Sequence, residues 1–351
     1  MPSQPLEEFE TPFVKGDSFA YEPARITRQA VAEESPFQRA FGQGHVIPDE
    51  AEEFDSEIIG SNDMTWVNNP LAAPHRWICR LDIEYEITPF QGSGKLKGHG
   101  NGTGTLIGTR HVLTAAHNLR EYDPTQKNYL QAVRIVVTPA HDGSASPPVA
   151  GEEADLSISH VHPLYDISKR VDANGAPIPA GEIATNQYDY ALLTLKAPLG
   201  GRQVKALGGP LGCWEENGSG GIAQFRRLDP KILQDNDIFV AGYGSDACVK
   251  AVPVAAGNTI PVGSQLKAQG RIMLVWEKPG SVKYASRGMA HNADTCGGQS
   301  GGPVWIERDK VFDLVGIHTA GVSLTNGSRM NYAVRVTKEL VSQVRKWQAA
   351  G

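Results

Sequence analysis

The sequence predicts an all-β protein of the sandwich or barrel kind, and three observations lead there. Short runs rich in Val, Ile, Leu, Thr and Tyr recur from Trp77 onward: WICRLDIEYEI, GTGTLIGTRHVLTAA, AVRIVVTPA, YALLTL, DIFVAGYG, RIMLVWE, LVGIHTAGV and NYAVRV. Such residues fit a pleated, half-buried surface. Gly, Pro and Asn punctuate the runs, with 38 Gly and 23 Pro in 351 residues, which is the chemistry of frequent turns. Only the C-terminal segment VTKELVSQVRKWQAA has a good helical period, placing Leu340, Val344 and Trp347 on one face. No repeat of fixed period occurs.

Composition narrows the function classes. Hydrophobic residues make up 40% and charged residues 21%, as in an ordinary folded protein. The length suits one two-part globular unit plus an extra segment. Residues 1–57 hold 13 acidic and 4 basic residues, while the remainder carries 29 basic and 26 acidic. This is an acidic leader on a near-neutral body, without the basic stripe of a nucleic-acid binder. No stretch approaches the ~20 apolar residues that span a membrane. The first residues lack the basic, apolar, small-residue order of a secretory signal. Residues 1–57 are broken by Pro and Gly and keep no apolar period, so they read as a solvated tail or as a propeptide ending near Ile58. Four cysteines, Cys79, Cys213, Cys248 and Cys296, allow three pairings and include no CxxC. A cysteine-based zinc site is therefore not expected.

Three short motifs carry chemistry. In GGQSGGP (Gly297–Pro303), glycines leave the Ser300 hydroxyl uncrowded and permit φ-positive turns. Such a turn can aim the amides of Gly298 and Ser300 at one point, an oxyanion hole in which each donor lowers an acyl-transfer barrier by ~3 kcal/mol. A serine hydroxyl needs a base, and LTAAHNL supplies His117 at the end of an apolar run. NQYDYALLTL places Asp189 before a strongly apolar strand, where a carboxylate is costly unless paired. Taken singly, the three read equally as a glycine-rich turn, a packed core histidine and a strand-initiating turn residue. In the order His, Asp, Ser they read as a nucleophile, its base and the group that orients the base.

Here the chain resembles the chymotrypsin-like serine proteases. TAAH matches the histidine motif of that family, DYALL the aspartate motif and GGQSGGP the nucleophile motif. VHPLYD (Val161–Asp166) resembles the segment before the aspartate, VAGYG (Val240–Gly244) the strand opening the second barrel, and NYAVRV plus a helix the family's end. The resemblance spans about Ile58 to Gly351. It implies two packed antiparallel β-barrels, about 58–205 and 222–335, then a C-terminal helix at 336–349. It implies a triad of His117, Asp189 and Ser300 acting on protein or peptide substrates, with no cofactor and no metal. A monomer and an extracellular setting are further implications. Family geometry favours a Cys248–Cys296 bridge, with Cys79 and Cys213 as the other candidate pair. Three departures stand out. Asn118 replaces the cysteine that usually follows the histidine. Gln299 replaces the aspartate that pairs with a freed N-terminus in trypsin-like zymogens. Some forty extra residues, read as surface loops, lie after His117 and in the linker.

Within the family the chain is most similar to the bacterial glutamyl endopeptidases. In GIHTAG, His318 falls where that branch keeps a pocket histidine, and Thr295 where it keeps a pocket threonine. Both side chains donate to a carboxylate, the chemistry of glutamate recognition; a buried strand histidine is the plainer reading of His318. Gly321 stands where some members have a serine donor. Asp294 stands where trypsins hold Arg or Lys, or turns outward beneath the pocket, so specificity for basic residues is the alternative. A catalytically silent binding module and a histidine metalloenzyme are rival classes, the latter weakened by the lack of HExxH around His160 and His162. A Glu-specific enzyme would be able to cut its own leader after Glu57, releasing Ile58, or at Glu53 or Glu50 on the way.

Overall fold

The structure, a computed structural model, describes residues 58–89, 95–123, 128–165, 186–214, 223–225, 227–255, 258–275, 287–309, 311–323 and 329–350, with the short strands Glu7–Glu8 and Glu53–Phe54. The first half of the chain forms β1 (Ile78–Pro89), β2 (Leu96–Gly108), β3 (His111–Thr114), β4 (Arg120–Asp123), β5 (Asn128–Pro139), β6 (His160–Val161) and β7 (Ala191–Thr194). They pair antiparallel in the order β6-β7-β3-β2-β1-β5-β4. Strand β1 shows why the pattern folds this way. Leu81, Ile83 and Tyr85 are buried while the alternating Asp82, Glu84 and Glu86 stay partly exposed, the two-residue period of a sheet with one wet face. This sheet curls into an open half-barrel.

The second half forms β8 (Asp237–Gly242), β9 (Leu266–Val275), β10 (Gly288–His291), β11 (Pro303–Arg308), β12 (Val311–Ser323) and β13 (Arg329–Arg335). Their order is β12-β11-β8-β9-β10-β13, and β13 pairs back onto β12 to close a six-stranded barrel. Closure removes the free edges of an open sheet. Helix α1 (Pro230–Asp235) is capped by Asp229, which accepts the Lys231 amide, and α2 (Asp246–Ala251) by Ser245, which accepts the Cys248 amide. Helix α3 (Lys338–Ala350) buries Leu340, Val344 and Trp347, the face its period singles out. The fold is chymotrypsin-like.

Three tryptophans join the halves. Trp77 precedes β1, Trp214 lies in the linker and Trp305 sits on β11. Their rings meet edge-on, 5.9 Å from Trp77 to Trp214 and 5.9 Å from Trp214 to Trp305. All three are buried. The Trp77 indole donates to the Leu211 carbonyl and the Trp214 indole to the Phe312 carbonyl, so each polar edge is satisfied.

The cysteines split. Cys248 and Cys296 form a disulfide, tying α2 to the loop before Ser300. The Cys79–Cys213 pairing does not occur: both cysteines are buried and stand outside any disulfide. The pairing of β1 with β2 and β5 fixes Cys79 opposite Gly104 and Pro139. Its thiol faces the core, donates to the Trp77 carbonyl and has its pKa raised by burial. Buried apolar surroundings make such a cysteine an inert core residue.

One buried histidine, His291, and one half-buried, His75, make the fold acid-sensitive. Burial lowers His291 to about 3 and, against the opposing hydrogen bond that the ring donates to Gln265, His75 to about 4. Above pH 6.5 both folded and unfolded chains hold these rings neutral, and neither affects stability. Below it the unfolded chain takes up protons that the native rings refuse, so stability falls until the native values are reached. Each ring should weaken the fold by about 2 kcal/mol at pH 5 relative to pH 7. Urea midpoints should drop over that interval, and His291→Phe or His75→Phe should flatten the slope; an unchanged slope in both would refute the assignment.

Candidate active site

The first sheet delivers a histidine and a carboxylate. Strand β3 ends at Thr114, and a 3-10 turn at Ala116–Asn118 carries His117. A second 3-10 turn, Asn186–Tyr188, brings Asp189 to the start of β7. Both side chains are buried. One Asp189 oxygen accepts the His117 main-chain amide at 3.0 Å, and the other is 2.7 Å from His117 Nδ1. The carboxylate thus fixes both the backbone and the ring of the histidine, with the proton placed on Nδ1 and Nε2 left as an acceptor. Aromatic packing holds Asp189 in turn. The His162 ring stacks 4.6 Å from Tyr188 and lies 4.9 Å from Tyr190, the residues on either side of the aspartate. His160 stacks on Trp347. Among the described residues no cluster of His, Cys, Asp and Glu is arranged to hold a metal ion.

The second barrel delivers the serine. Between β10 and β11 the chain makes a tight turn in which Gly298 has φ +91° and Gly301 φ +88°, a region costly for residues with a Cβ. Space forbids a side chain there too. A Cβ on Gly298 would lie 2.6 Å from the Tyr243 carbonyl, and one on Gly301 would collide with the Thr103 carbonyl. The amides of Gly298 and Ser300 donate to no other described residue. Gln299 is wholly buried and closes the turn on itself: its amide donates to the Cys296 carbonyl, and its side-chain oxygen accepts the Cys296 amide at 2.9 Å. The Ser300 hydroxyl donates to the Thr319 carbonyl at 3.2 Å.

Residues that the sequence reading did not single out as part of the site bring these two halves together. The Asn118 amide nitrogen is 2.9 Å from Thr114 Oγ1 and 2.9 Å from the Ser300 carbonyl. The Ser300 carbonyl also accepts the Thr103 amide, and Thr103 Oγ1 donates to the Gly298 carbonyl. Asn118 therefore links the residue next to His117 directly to Ser300, where the family's disulfide is missing. The detectable signal is a run of buried polar residues, Asn101, Thr103 and Thr105, on an otherwise core-facing strand.

The four residues read as a specificity pocket are all buried. Thr295 Oγ1 has no hydrogen-bond partner among the described residues. His318 lies on β12, 5.8 Å from the His291 ring, with its main chain bonded to Gly301 and Gly302. Burial, helped by His291 and His117, lowers its pKa well below the ordinary histidine value. Gly321 pairs with Asn331 on one side and Phe54 on the other. Asp294 is engaged with main chain: one oxygen accepts the Ile59 amide at 2.7 Å, the other the Asp63 amide at 2.8 Å. Burial and the adjacent Asp294 raise the Asp63 carboxyl. Ile58 is exposed; Glu57 and Glu50, the other expected cleavage points, lie outside the described residues.

Residues 82–347 match the family model described as Trypsin. No curated protein matches the chain. Among solved structures, one described as a Glu endopeptidase in complex with MPD aligns with a TM-score of 0.52 at 21% identity, covering 84% of this chain and 100% of that one. The protease Anisep from Arthrobacter nicotinovorans gives 0.45 at 16% identity, covering 84% and 99%.

The Asn118 tether is directly testable. Asn118→Ala removes both of its amide bonds from a buried position and should cost about 1–3 kcal/mol. Gly102→Ala reaches the same tether from the other side, since its Cβ would lie 2.7 Å from Asn118 Oδ1. Both variants should lower the urea midpoint by similar amounts, and the double variant by less than the sum. Full additivity would mean that the two positions do not act through one contact.

Proposed function

The chain belongs to the trypsin family, and from that premise we propose that Ser300, His117 and Asp189 are the catalytic triad of a serine endopeptidase that cuts after Glu. The observation that carries the triad is the double hold of Asp189 on His117, at 3.0 Å to the amide and 2.7 Å to the ring. With Nδ1 protonated, His117 Nε2 takes the Ser300 proton as Oγ attacks the scissile carbonyl. The carbonyl π pair moves onto oxygen, where the Gly298 and Ser300 amides receive it. Collapse of that adduct breaks the C–N bond, and His117 returns its proton to the departing amine. Water then repeats the sequence on the acyl-enzyme and frees Ser300.

Three features support preference for Glu. The buried Thr295 hydroxyl has no partner among the described residues, so a substrate carboxylate would give that donor one. His318 adds a ring N–H that burial keeps neutral until an anion arrives. Asp294 spends both oxygens on amides, which disfavours the alternative of Arg or Lys binding there. A solved structure of the same fold is itself described as a Glu endopeptidase. The Cys248–Cys296 disulfide supports an oxidising, extracellular setting, and self-cleavage after Glu57 belongs to the same reading.

Digestion of a mixed peptide library, read by mass spectrometry, tests activity and specificity together. Cleavage should follow Glu, less often Asp. Ser300→Ala should abolish it, with a loss of several powers of ten. His318→Ala should lower Glu-substrate kcat/KM about 10- to 100-fold, the worth of a hydrogen bond to a charged group, and leave hydrolysis of a small activated ester nearly unchanged. Cleavage after Arg or Lys would overturn the Glu reading, and undiminished activity in Ser300→Ala would overturn the triad.

A further inference from the structure

Strand β12 changes neighbours at the nucleophile turn. From Val311 to Ile317 one edge pairs with β11, ending at Pro303 opposite Ile317. The chain before Pro303 then turns away through Ser300, and from Thr319 onward that edge is clear of β11. The other edge stays paired with β13 as far as Ser323. On the vacated edge lies a piece of the acidic leader: Phe54 pairs antiparallel opposite Gly321, and Glu53 opposite Val322. Running from Glu53 to Phe54, the leader therefore heads along β12 toward Thr319, whose carbonyl receives the Ser300 hydroxyl. Five residues beyond Phe54 the chain is fastened again, by the Ile59 and Asp63 amides on Asp294, which lies six residues before Ser300. Both flanks of 55–57 are thus tied to the segments that frame the nucleophile.

An exposed strand edge binds extended chain through main-chain hydrogen bonds, whatever the side chains. A peptide that offers a carbonyl to Ser300 in extended form has this edge of β12 to lie along. We propose that the segment carrying Glu53–Phe54 is an internal competitor: it occupies, running antiparallel to β12, the edge that delivers peptides to Ser300. The proposal rests on the reading of Ser300 as the nucleophile. The occupant also matches the proposed substrate chemically, since DEAEEFDSE (49–57) is rich in Glu and contains no Lys or Arg. Tethering presents it at an effective concentration on the order of millimolar, so even a weakly bound segment excludes dilute substrate. The competition is released when the segment is cut or displaced.

The test compares the intact chain, its length verified by mass, with the variant Glu53→Pro/Phe54→Pro, whose prolines cannot donate to a strand partner. For an extended hexapeptide substrate the variant should show KM lowered about tenfold with kcat unchanged. Labelling of Ser300 by a small fluorophosphonate, which needs no strand edge, should change less than twofold. A synthetic peptide of residues 48–57 added to the variant should restore the high KM competitively and leave labelling alone. Glu53→Gly/Phe54→Gly, a milder change, should move KM the same way by a smaller factor. Equal KM in wild type and both variants, with Ser300 still labelled, overturns the internal competitor while the triad stands. Failure of Ser300 to label in any form overturns the nucleophile reading, and this proposal with it.

Discussion

Everything at the site depends on how the half-barrel and the closed barrel are held against each other. His117 and Asp189 hang from the first and Ser300 from the second, so a small slip of one against the other would separate the histidine from the serine. Hydrogen bonds across the junction resist that slip. Thr103 stands at their centre, giving its amide to the Ser300 carbonyl and its hydroxyl to the Gly298 carbonyl while accepting the Tyr243 amide. Asn101 donates to the Tyr243 carbonyl, and the Tyr243 hydroxyl donates to the Ile78 carbonyl and accepts from His141 and Gln265. Most of these groups are buried, so each bond is expensive to leave unmade.

Two of the buried aspartates, Asp189 and Asp294, show the same economy used differently. Asp189 divides its oxygens between an amide and an imidazole, leaving the histidine ring oriented and chemically available. Asp294 divides its oxygens between two main-chain amides and so fastens chain rather than orienting a base. A carboxylate taken out of water must be met by donors, and which donors meet it decides whether it serves chemistry or architecture. By that criterion Asp294 is an anchor for the start of the folded body.

The fold class and the site motifs were legible because each is local. Alternation over a few residues reports a strand, and GGQSGGP holds within seven letters the glycines that its own turn requires. What escaped was everything that acts across the chain. Asn118 reaches Ser300 over 182 residues, Thr103 reaches Gly298 over 195, and Asp294 reaches Ile59 over 235. Nothing near these residues in the sequence announces such partners. Asn118 was visible only as a missing cysteine, not as what replaces it. Asp294 was read either as a pocket residue or as turned outward beneath the pocket, because position alone does not name its partners. The expected Cys79–Cys213 bridge failed for a related reason: pairing the leftover cysteines counts them without knowing that Cys79 faces the core of a strand held on both sides.

The chain of tryptophans through Trp77, Trp214 and Trp305 has a consequence for how the molecule comes apart. The larger of its apolar cores is continuous from Ile78 and Leu81 in the half-barrel, through those three rings, to Leu314 and Tyr332 in the closed barrel. Two lobes sharing an interior in this way have no dry surface along which to part, unlike domains joined by a polar, separable interface. Opening one lobe would strip solvent protection from the other. The halves should therefore melt as a single cooperative unit, with one calorimetric transition and no stable half-folded species. The candidate active site would be lost at the same temperature as the fold.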